Sequence, residues 1–252
     1  EKFSDDLRSL RRVFNLVSLE EVLADGAAGK QRRRPVLAVT FDDGMDLRKE
    51  GAMEVLERFG VKATMFVGTA FIGNQMLMWR YMLGAIQTLV SSLVWRREYR
   101  ELAASHGLSP PEENQTLLQA TYQWDMQRKD EWAAELWKRC GLPPVAHYLA
   151  EKRPYFDWDG LGEWLAAGHS VGFHTHTHPF CSRLSLDDLE CELIRPAMQL
   201  RQRLGIDEMC LSYPFGDRLQ PVLERKLFEK GLFKAIFGTS GFARRGVSNA
   251  RL

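Results

Sequence analysis

The sequence predicts an α/β fold in which parallel strands are covered by helices, and two features of the chain lead to that prediction. Five short apolar runs bounded by turn residues are typical of buried parallel strands: residues 36–41, 63–68, 170–174, 209–215 and 234–239. Helical patterns precede or separate most of them, at residues 1–15, 47–59, 158–167, 186–204 and 221–230. Five strands cannot close an eight-stranded barrel, so the sheet is either open or part of an incomplete barrel.

The helical patterns begin at recognisable capping signals. Ser18 with Glu21 and Ser185 with Asp188 each form a Ser-x-x-acid capping box before an apolar pattern. The second of these helices contains Pro196, which lacks a backbone N–H and is expected to kink or end the helix.

Residues 74–153 interrupt the alternation, because this segment has helical patterns and no convincing strand. Pro-Pro pairs at positions 110–111 and 143–144 divide it into about three helices. Its tryptophans at helical spacing favour a packed core, with a sugar-covering lid, a partner site or a peripheral membrane contact as alternatives: Trp79, Trp95, Trp124, Trp132 and Trp137. We therefore predict a single domain over residues 1–252 with a helical insertion at about 74–153.

The composition excludes several classes of protein. The 252 residues include 34 Lys and Arg against 33 Asp and Glu, so net charge provides no affinity for nucleic acid. No apolar stretch reaches the roughly 18 residues that indicate a transmembrane helix. The four cysteines have no metal-binding or disulfide spacing and are expected to pack as small apolar groups. These features favour a cytoplasmic protein, although a chain that begins with Glu1 is also compatible with a removed secretory segment.

Two adjacent carboxylates, Asp42 and Asp43, follow the first predicted strand and precede Gly44. The carboxyl ends of parallel strands are where α/β folds collect their ligands. Adjacent residues of a strand point to opposite sides, so one carboxylate can bind a cation while the other takes a proton from water. The structural alternative is that one aspartate caps the helix that begins near Leu47.

Three histidines lie within five residues after the third predicted strand, at positions 174, 176 and 178. In a straight strand the Cα atoms of His174 and His178 would be about 13 Å apart, too far to bind one ion. A helix is disfavoured because Pro179 restricts the backbone of His178. We therefore expect the chain to turn after His174, bring both imidazoles to one metal ion, and leave His176 facing elsewhere.

A third polar strand end reads Tyr213-Pro214-Phe215-Gly216. Proline and glycine together fix an unusual backbone, which can direct an N–H group at a developing oxyanion. An ordinary turn from strand to loop is the structural alternative.

Taken together, Asp-Asp, His-x-x-x-His and Tyr-Pro-Phe-Gly at strand ends resemble the metal-dependent polysaccharide deacetylase family, which includes the chitooligosaccharide deacetylases. The sequences that flank these motifs, at residues 36–69 and 158–185, are similar to the family as well. The resemblance covers residues 1–73 and 154–245 and leaves out the helical insertion.

The resemblance implies a distorted, incomplete (β/α) barrel that removes acetyl groups, most often N-acetyl groups, from a sugar or polysaccharide. In the family scheme Asp42 is the general base, and Asp43, His174 and His178 bind a divalent metal ion. That ion is usually Zn²⁺, with Co²⁺, Ni²⁺ or Mn²⁺ also accepted. The backbone N–H of Phe215 contributes to stabilising the oxyanion, and the expected partner is an acetylated glycan.

The sequence also departs from the family pattern in two ways. The family usually places its general acid on a histidine in a late strand, whereas no histidine follows His178. Either the late strand is present and lacks this histidine, or the strand lies beyond Leu252. The arginine that often precedes the third motif is replaced by Ser212 and Tyr213, so we expect Arg183 to be the substitute partner of Asp42.

Two other functions are compatible with these motifs. A non-catalytic carbohydrate-binding or scaffold protein is suggested by the absent acid and arginine, although an open metal site has no purpose in such a protein. An amino-sugar deformylase would use the same scaffold and the same site residues.

Overall fold

The computed structural model describes residues 1–30 and 32–239, and their strands form two parallel sheets. The strands are β1 Asn15–Leu16, β2 Val36–Leu37, β3 Thr40–Phe41, β4 Thr64–Val67, β5 Ser170–Phe173, β6 Met209–Ser212 and β7 Phe233–Phe237. β1 pairs with β2, and the larger sheet has the order β3-β4-β5-β6-β7. The predicted α/β class with an open, incomplete barrel is confirmed. The expectations about a further strand and the resemblance from residue 240 onward lie outside the described residues.

Twelve α-helices are present in the described residues: α1 Lys2–Val13, α2 Leu19–Ala27, α3 Ala52–Arg58, α4 Trp79–Leu89, α5 Ser92–His106, α6 Leu117–Ala120, α7 Lys129–Arg139, α8 Val145–Lys152, α9 Trp158–Ala166, α10 Leu186–Leu189, α11 Arg195–Leu204 and α12 Pro221–Glu229. None of them is both long and apolar enough to cross a bilayer. The chain divides into two compact units. The first unit contains Glu1–Gly73 and the residues from Pro154 onward, and the second, which we call the helical unit, is Asn74–Arg153.

The first predicted strand differs most from its prediction, because residues 36–41 form two short strands in different sheets. β2 pairs with β1, which the sequence did not indicate, and β3 pairs with β4. Both lie at sheet edges and are half-buried or exposed, whereas the apolar run predicts a single buried strand. The helix expected at 47–59 begins only at Ala52, since Gly51 before it adopts a left-handed backbone with φ of 68°.

The main core of the first unit lies against one face of the central strands. Met65 and Val67 of β4, Phe173 of β5 and Leu211 of β6 are completely buried. Trp164 of α9 joins them and is also completely buried. Each such side chain contributes about 1.5–3 kcal/mol by leaving water. This packing fixes the strands whose carboxyl ends carry the polar motifs.

The segment predicted as one helix at 186–204 begins and bends as its sequence indicates. Ser185 accepts a hydrogen bond from the backbone N–H of Asp188, and the predicted capping box is complete. The helix then contains a π-helical turn, Glu190–Ile194, in which the N–H of Arg195 bonds to the carbonyl of Glu190. Pro196 lies at the start of α11, immediately after this turn.

The helical unit, Asn74–Arg153, has its own aromatic core. It contains five α-helices, α4 to α8, because the chain breaks at Ser91 and between Ala120 and Lys129 as well as near the two Pro-Pro pairs that suggested three. Tyr99 and Trp124 stack with ring centroids 6.2 Å apart, and the Trp124 Nε1–H donates to the Tyr99 hydroxyl at 3.1 Å. The five tryptophans with helical spacing in this unit are at most 4% exposed: Trp79, Trp95, Trp124, Trp132 and Trp137. Their main role is therefore packing.

Candidate metal centre

Three parallel strands bring the polar motifs to one edge of the sheet. β3 ends immediately before Asp42 and Asp43, β5 ends before His174, and β6 ends before Tyr213. Because all three strands run in the same direction, their carboxyl ends meet.

The Asp43 carboxylate lies between two imidazoles. Its Oδ1 is 3.5 Å from His174 Nε2 and 3.3 Å from His178 Nε2. The three residues form the only group of metal-ligand type found among residues 1–30 and 32–239, with ligand atoms within 4.8 Å of one another. Two ligands bound at about 2.1 Å to a tetrahedral ion are about 3.4 Å apart, so Asp43 stands at a suitable distance from each histidine. One carboxylate and two imidazoles are also a donor set that zinc accepts.

Hydrogen bonding and burial prepare His174 to be a metal ligand. Its Nδ1 donates to the carbonyl oxygen of Ser212 at 2.7 Å, which leaves a lone pair on Nε2 toward Asp43 and His178. The imidazole is only 2% exposed. Burial, followed by the nearby charge of His178, lowers the pKa of His174 to about 4. The ring is therefore neutral at neutral pH, as a ligand must be.

The predicted turn after His174 is present and depends on a left-handed backbone. Thr175 and His178 have φ values of 65° and 58°, and Asp43 on the neighbouring loop has 70°. The Thr175 hydroxyl accepts a hydrogen bond from the backbone N–H of His178 at 3.1 Å. This turn shortens the separation that an extended strand would impose, so both imidazoles reach Asp43. His176 faces elsewhere, as expected, with its Nδ1 2.8 Å from the Thr69 hydroxyl.

Asp42, the predicted base, stands next to this group. Its side chain is exposed to solvent, although nearby protein atoms partly desolvate the carboxyl group. Burial and the neighbouring negative charge of Asp43 raise the pKa of Asp42 to about 6, while His178 opposes the shift. A cation held by Asp43 would favour the ionised form of Asp42.

The third motif forms a tight turn beside His178. Phe215 is left-handed with φ of 58°, and its ring contacts the His178 ring edge to face at 4.7 Å. Pro214 is buried. Gly216 has φ of 69°, and a Cβ at this position would lie 2.1 Å from the Thr239 hydroxyl, so only glycine fits. The Tyr213 hydroxyl donates to Glu224 at 3.1 Å, so this side chain anchors the turn to α12.

Arg183 is found over the ring of Phe180, with 5.0 Å between the guanidinium carbon and the ring centroid. Phe180 in turn stacks on Phe215 at 4.5 Å. The arginine therefore packs on an aromatic wall beside His178, which is formed by the rings of Phe180 and Phe215. Its assignment as the partner of Asp42 remains a prediction.

Sequence reasoning missed Arg48, which holds the loop after Asp43. Its guanidinium donates to both carboxylate oxygens of Asp46 at 2.8 and 2.9 Å and to Glu163 at 3.0 Å. It also lies 5.3 Å from the ring centroid of Phe156, whose backbone N–H donates to Gly44 at 2.9 Å. The Asp-x-Arg spacing was the available signal, but the partners beyond Asp46 lie more than 100 positions away in the sequence.

Comparison with known proteins identifies the family. The family model described as polysaccharide deacetylase matches residues 29–227, which is more than half of the chain. Solved structures of similar fold include Streptococcus pyogenes deacetylase PplD in complex with acetate, with 15% identity, a TM-score of 0.53, and coverage of 91% of this chain and 68% of that chain. IcaB from Ammonifex degensii has 17% identity, a TM-score of 0.55, and coverage of 94% and 74%.

The BpsB deacetylase domain from Bordetella bronchiseptica has 15% identity, a TM-score of 0.56, and coverage of 99% of this chain and 81% of that chain. At these identities the solved structures show the fold alone. No match was found among curated proteins. Since the family model spans all three motifs, the chain belongs to the polysaccharide deacetylase family, whose members hydrolyse the acetyl groups of sugars.

Proposed function

We propose that this protein is a divalent-metal-dependent deacetylase that hydrolyses the N-acetyl amide of a sugar within a glycan. The observation that carries the proposal is the convergence of Asp43, His174 and His178, whose ligand atoms lie within 4.8 Å of one another. Zinc is the ion that we assign to them, because two imidazoles and one carboxylate are a ligand set that catalytic zinc sites use. Three protein ligands leave one or more positions open, which is typical of a catalytic rather than a structural site.

The metal ion would supply Lewis-acid chemistry in this proposal. When bound, a divalent cation polarises the acyl oxygen and makes a nearby water more acidic. All other roles belong to side chains and backbone groups of this chain.

Asp42 is the group that we assign to proton transfer. Its carboxylate, next to Asp43, accepts the proton of the attacking water. The same carboxyl group can then return the proton to the departing amine nitrogen, since one acid–base group can serve both steps in turn. This assignment needs no histidine after His178, and the sequence contains none.

The turn over Tyr213–Gly216 is the part of the site that we assign to the acyl group. The left-handed backbone of Phe215 beside His178 is the observation that supports this role. Its N–H donates to the acyl oxygen as negative charge develops there. Arg183, on the same aromatic wall, is the cation that we assign to orienting Asp42.

Metal analysis of purified protein tests the proposal. We expect about one zinc or similar ion per chain in wild-type protein purified without added metal. His174→Ala should lose this ion, whereas His147→Ala, which changes an exposed histidine in α8, should retain it. Wild-type protein that stays metal-free after reconstitution with zinc would overturn the metal site.

A substrate comparison tests the reaction itself. Acetate release from N-acetylated sugars should exceed release from O-acetylated sugars, and formylated amino sugars should be poorer substrates. Faster formate release would favour a deformylase.

The catalytic domain in this proposal is the whole chain, with Asn74–Arg153 inserted between the first and second motifs.

A further inference from the structure

The segment that joins the two proposed histidine ligands is held from one side by a single residue, Glu192. The backbone N–H of His176 donates to the carbonyl oxygen of Glu192 at 2.9 Å. The backbone N–H and the hydroxyl of Thr177 donate to the two carboxylate oxygens of Glu192 at 2.9 and 2.6 Å. Glu192 thus accepts three hydrogen bonds from the two residues between Thr175 and His178.

The opposite side of this segment is held by the end of β4. The N–H groups of Thr69 and Ala70 donate to the carbonyls of Thr175 and His176 at 3.2 and 3.1 Å. In these bonds the carbonyl groups of the loop are the acceptors, whereas in the bonds to Glu192 the N–H and hydroxyl groups of the loop are the donors. The left-handed residues Thr175 and His178 therefore lie in a loop whose polar backbone is bound from both sides.

Pro196 explains why a helix can offer a main-chain carbonyl to this loop. In a regular α-helix the carbonyl of Glu192 would accept from the N–H four residues later. That position is Pro196, which has no N–H and whose ring crowds the same carbonyl. The helix forms a π-helical turn, Glu190–Ile194, at this place, and Glu192 bonds to His176. Such π-helical turns are often found at functional sites.

We propose that Glu192, together with Pro196, is a positioning device that fixes the His174–His178 turn in its metal-binding geometry. This inference rests on the metal site of the proposed function and adds a residue outside its three motifs. Glu192 is a positioning residue, since it acts on the ligands only through the backbone of His176 and through Thr177. Outer groups that orient metal ligands typically change metal affinity by about 10–100-fold.

Zinc affinity of the full chain tests the proposal, measured by competition with a chromophoric chelator. Glu192→Ala should weaken zinc binding about 10–100-fold, because both carboxylate bonds to Thr177 are lost. Glu192→Gln keeps one acceptor oxygen and should recover part of that loss. Glu190→Ala, an exposed glutamate in the same π-helical turn, is the matched control and should change affinity less than twofold.

Pro196→Ala separates positioning from folding. It supplies an N–H that competes for the Glu192 carbonyl, and alanine is the better helix former. We expect weaker zinc binding together with an unchanged or higher melting temperature of the metal-free protein. The visible spectrum of the cobalt-substituted protein should change in Glu192→Ala and Pro196→Ala but not in Glu190→Ala.

The outcomes distinguish this inference from the proposed function. Wild-type zinc affinity in Glu192→Ala and Pro196→Ala would overturn the positioning role and leave the metal site intact. If Glu192→Ala does not fold, as judged by circular dichroism, unchanged affinity in Glu192→Gln and Pro196→Ala overturns the role. A wild-type protein that binds no zinc overturns the metal site, and with it this inference.

Discussion

The strand ends of the first unit differ from the helical unit, Asn74–Arg153, in which residues have a left-handed backbone conformation. At the strand ends, residues other than glycine adopt positive φ values where the motifs lie: Asp43, Thr175, His178 and Phe215. Within the helical unit, such residues are found only at its two boundaries, Asn74 and Arg153, and its other left-handed positions are glycines.

The contrast shows where this chain accepts backbone strain. A left-handed residue other than glycine costs on the order of 1–3 kcal/mol and persists only where surrounding contacts enforce it. At the strand ends those contacts bring a carboxylate and two imidazoles together. The helical unit needs no such strained residues within it, because its structure is stabilised mainly by packed aromatic rings. Substitutions in the two regions should therefore have different consequences.

The largest effect is expected for Asp42→Asn at the strand ends. Loss of the proposed base should lower turnover about 10²–10⁴-fold, because the amide cannot accept the proton of water. Metal content and the free energy of unfolding should remain close to wild type. Initial rates of acetate release, with metal analysis of the same samples, check this prediction. Asp159→Asn, an exposed aspartate on α9, is the control, and full turnover by Asp42→Asn would contradict the base assignment.

The second-largest effect, a loss of stability, is expected for Trp124→Ala in the helical unit. Trp124 stacks on Tyr99, donates a hydrogen bond to its hydroxyl and is 1% exposed. Its removal should lower the free energy of unfolding by about 3–5 kcal/mol through the cavity that it leaves. Urea unfolding followed by circular dichroism measures this loss. Zinc affinity at low temperature should not change, and loss of zinc by a folded Trp124→Ala protein would show that the two regions are not independent.

Local signals in the sequence predicted most of the fold. The capping boxes at Ser18 and Ser185 both form, and four of the five predicted strands are present close to their expected positions. These features depend on neighbouring residues, so the sequence displays them directly. The run at 36–41 was misread because the change from one sheet to another depends on which strands lie alongside it.

The candidate site was predictable in part for the same reason. The need for a turn after His174 follows from the reach of an extended chain, and the structure has that turn. The bonds that hold it come from Ser212 and Glu192, which lie 38 and 15 positions from their partners. Two of the bonds from these residues use a main-chain carbonyl, which every residue carries. Such partners become recognisable only once the fold is known.

A smaller effect is expected from pH, through the buried side chain of His169. Burial, and then the positive charge of Lys62, lowers the pKa of His169 to about 4. Its ring stacks on Trp164 at 4.0 Å, and its Nδ1 accepts the backbone N–H of Ala63 at 3.0 Å. The folded pKa lies below the unfolded value of about 6.5, so the neutral ring stabilises the fold above that pH.

This stabilisation should be lost as the pH falls from about 6.5 towards 4, and the loss should be about 3 kcal/mol. Unfolding free energies of wild type and His169→Gln across that range check the prediction. The glutamine variant should be less stable at pH 7 and should show a shallower decline. His147→Gln, which changes an exposed histidine, should follow wild type, and equal slopes in all three proteins would contradict the assignment.

The smallest effect is expected when the helical unit is removed. The backbone N–H of Gly73 donates to the carbonyl of Phe156 at 2.8 Å, so the chain leaves and re-enters the first unit at adjacent points. A short Gly-Ser linker can therefore replace residues 75–153 without stretching the backbone. The shortened protein should bind zinc within about threefold of wild type, since all three proposed ligands remain.

Zinc titration and substrate comparison of the shortened protein decide what the helical unit does. Retained zinc with unchanged preference among acetylated sugars would exclude a role for the unit as a lid. Retained zinc with altered preference would assign substrate selection to the helices and the chemistry to the strand ends. A folded, shortened protein that binds no zinc would contradict the contrast between the two regions, because the left-handed loops would then need the helical unit to keep their geometry.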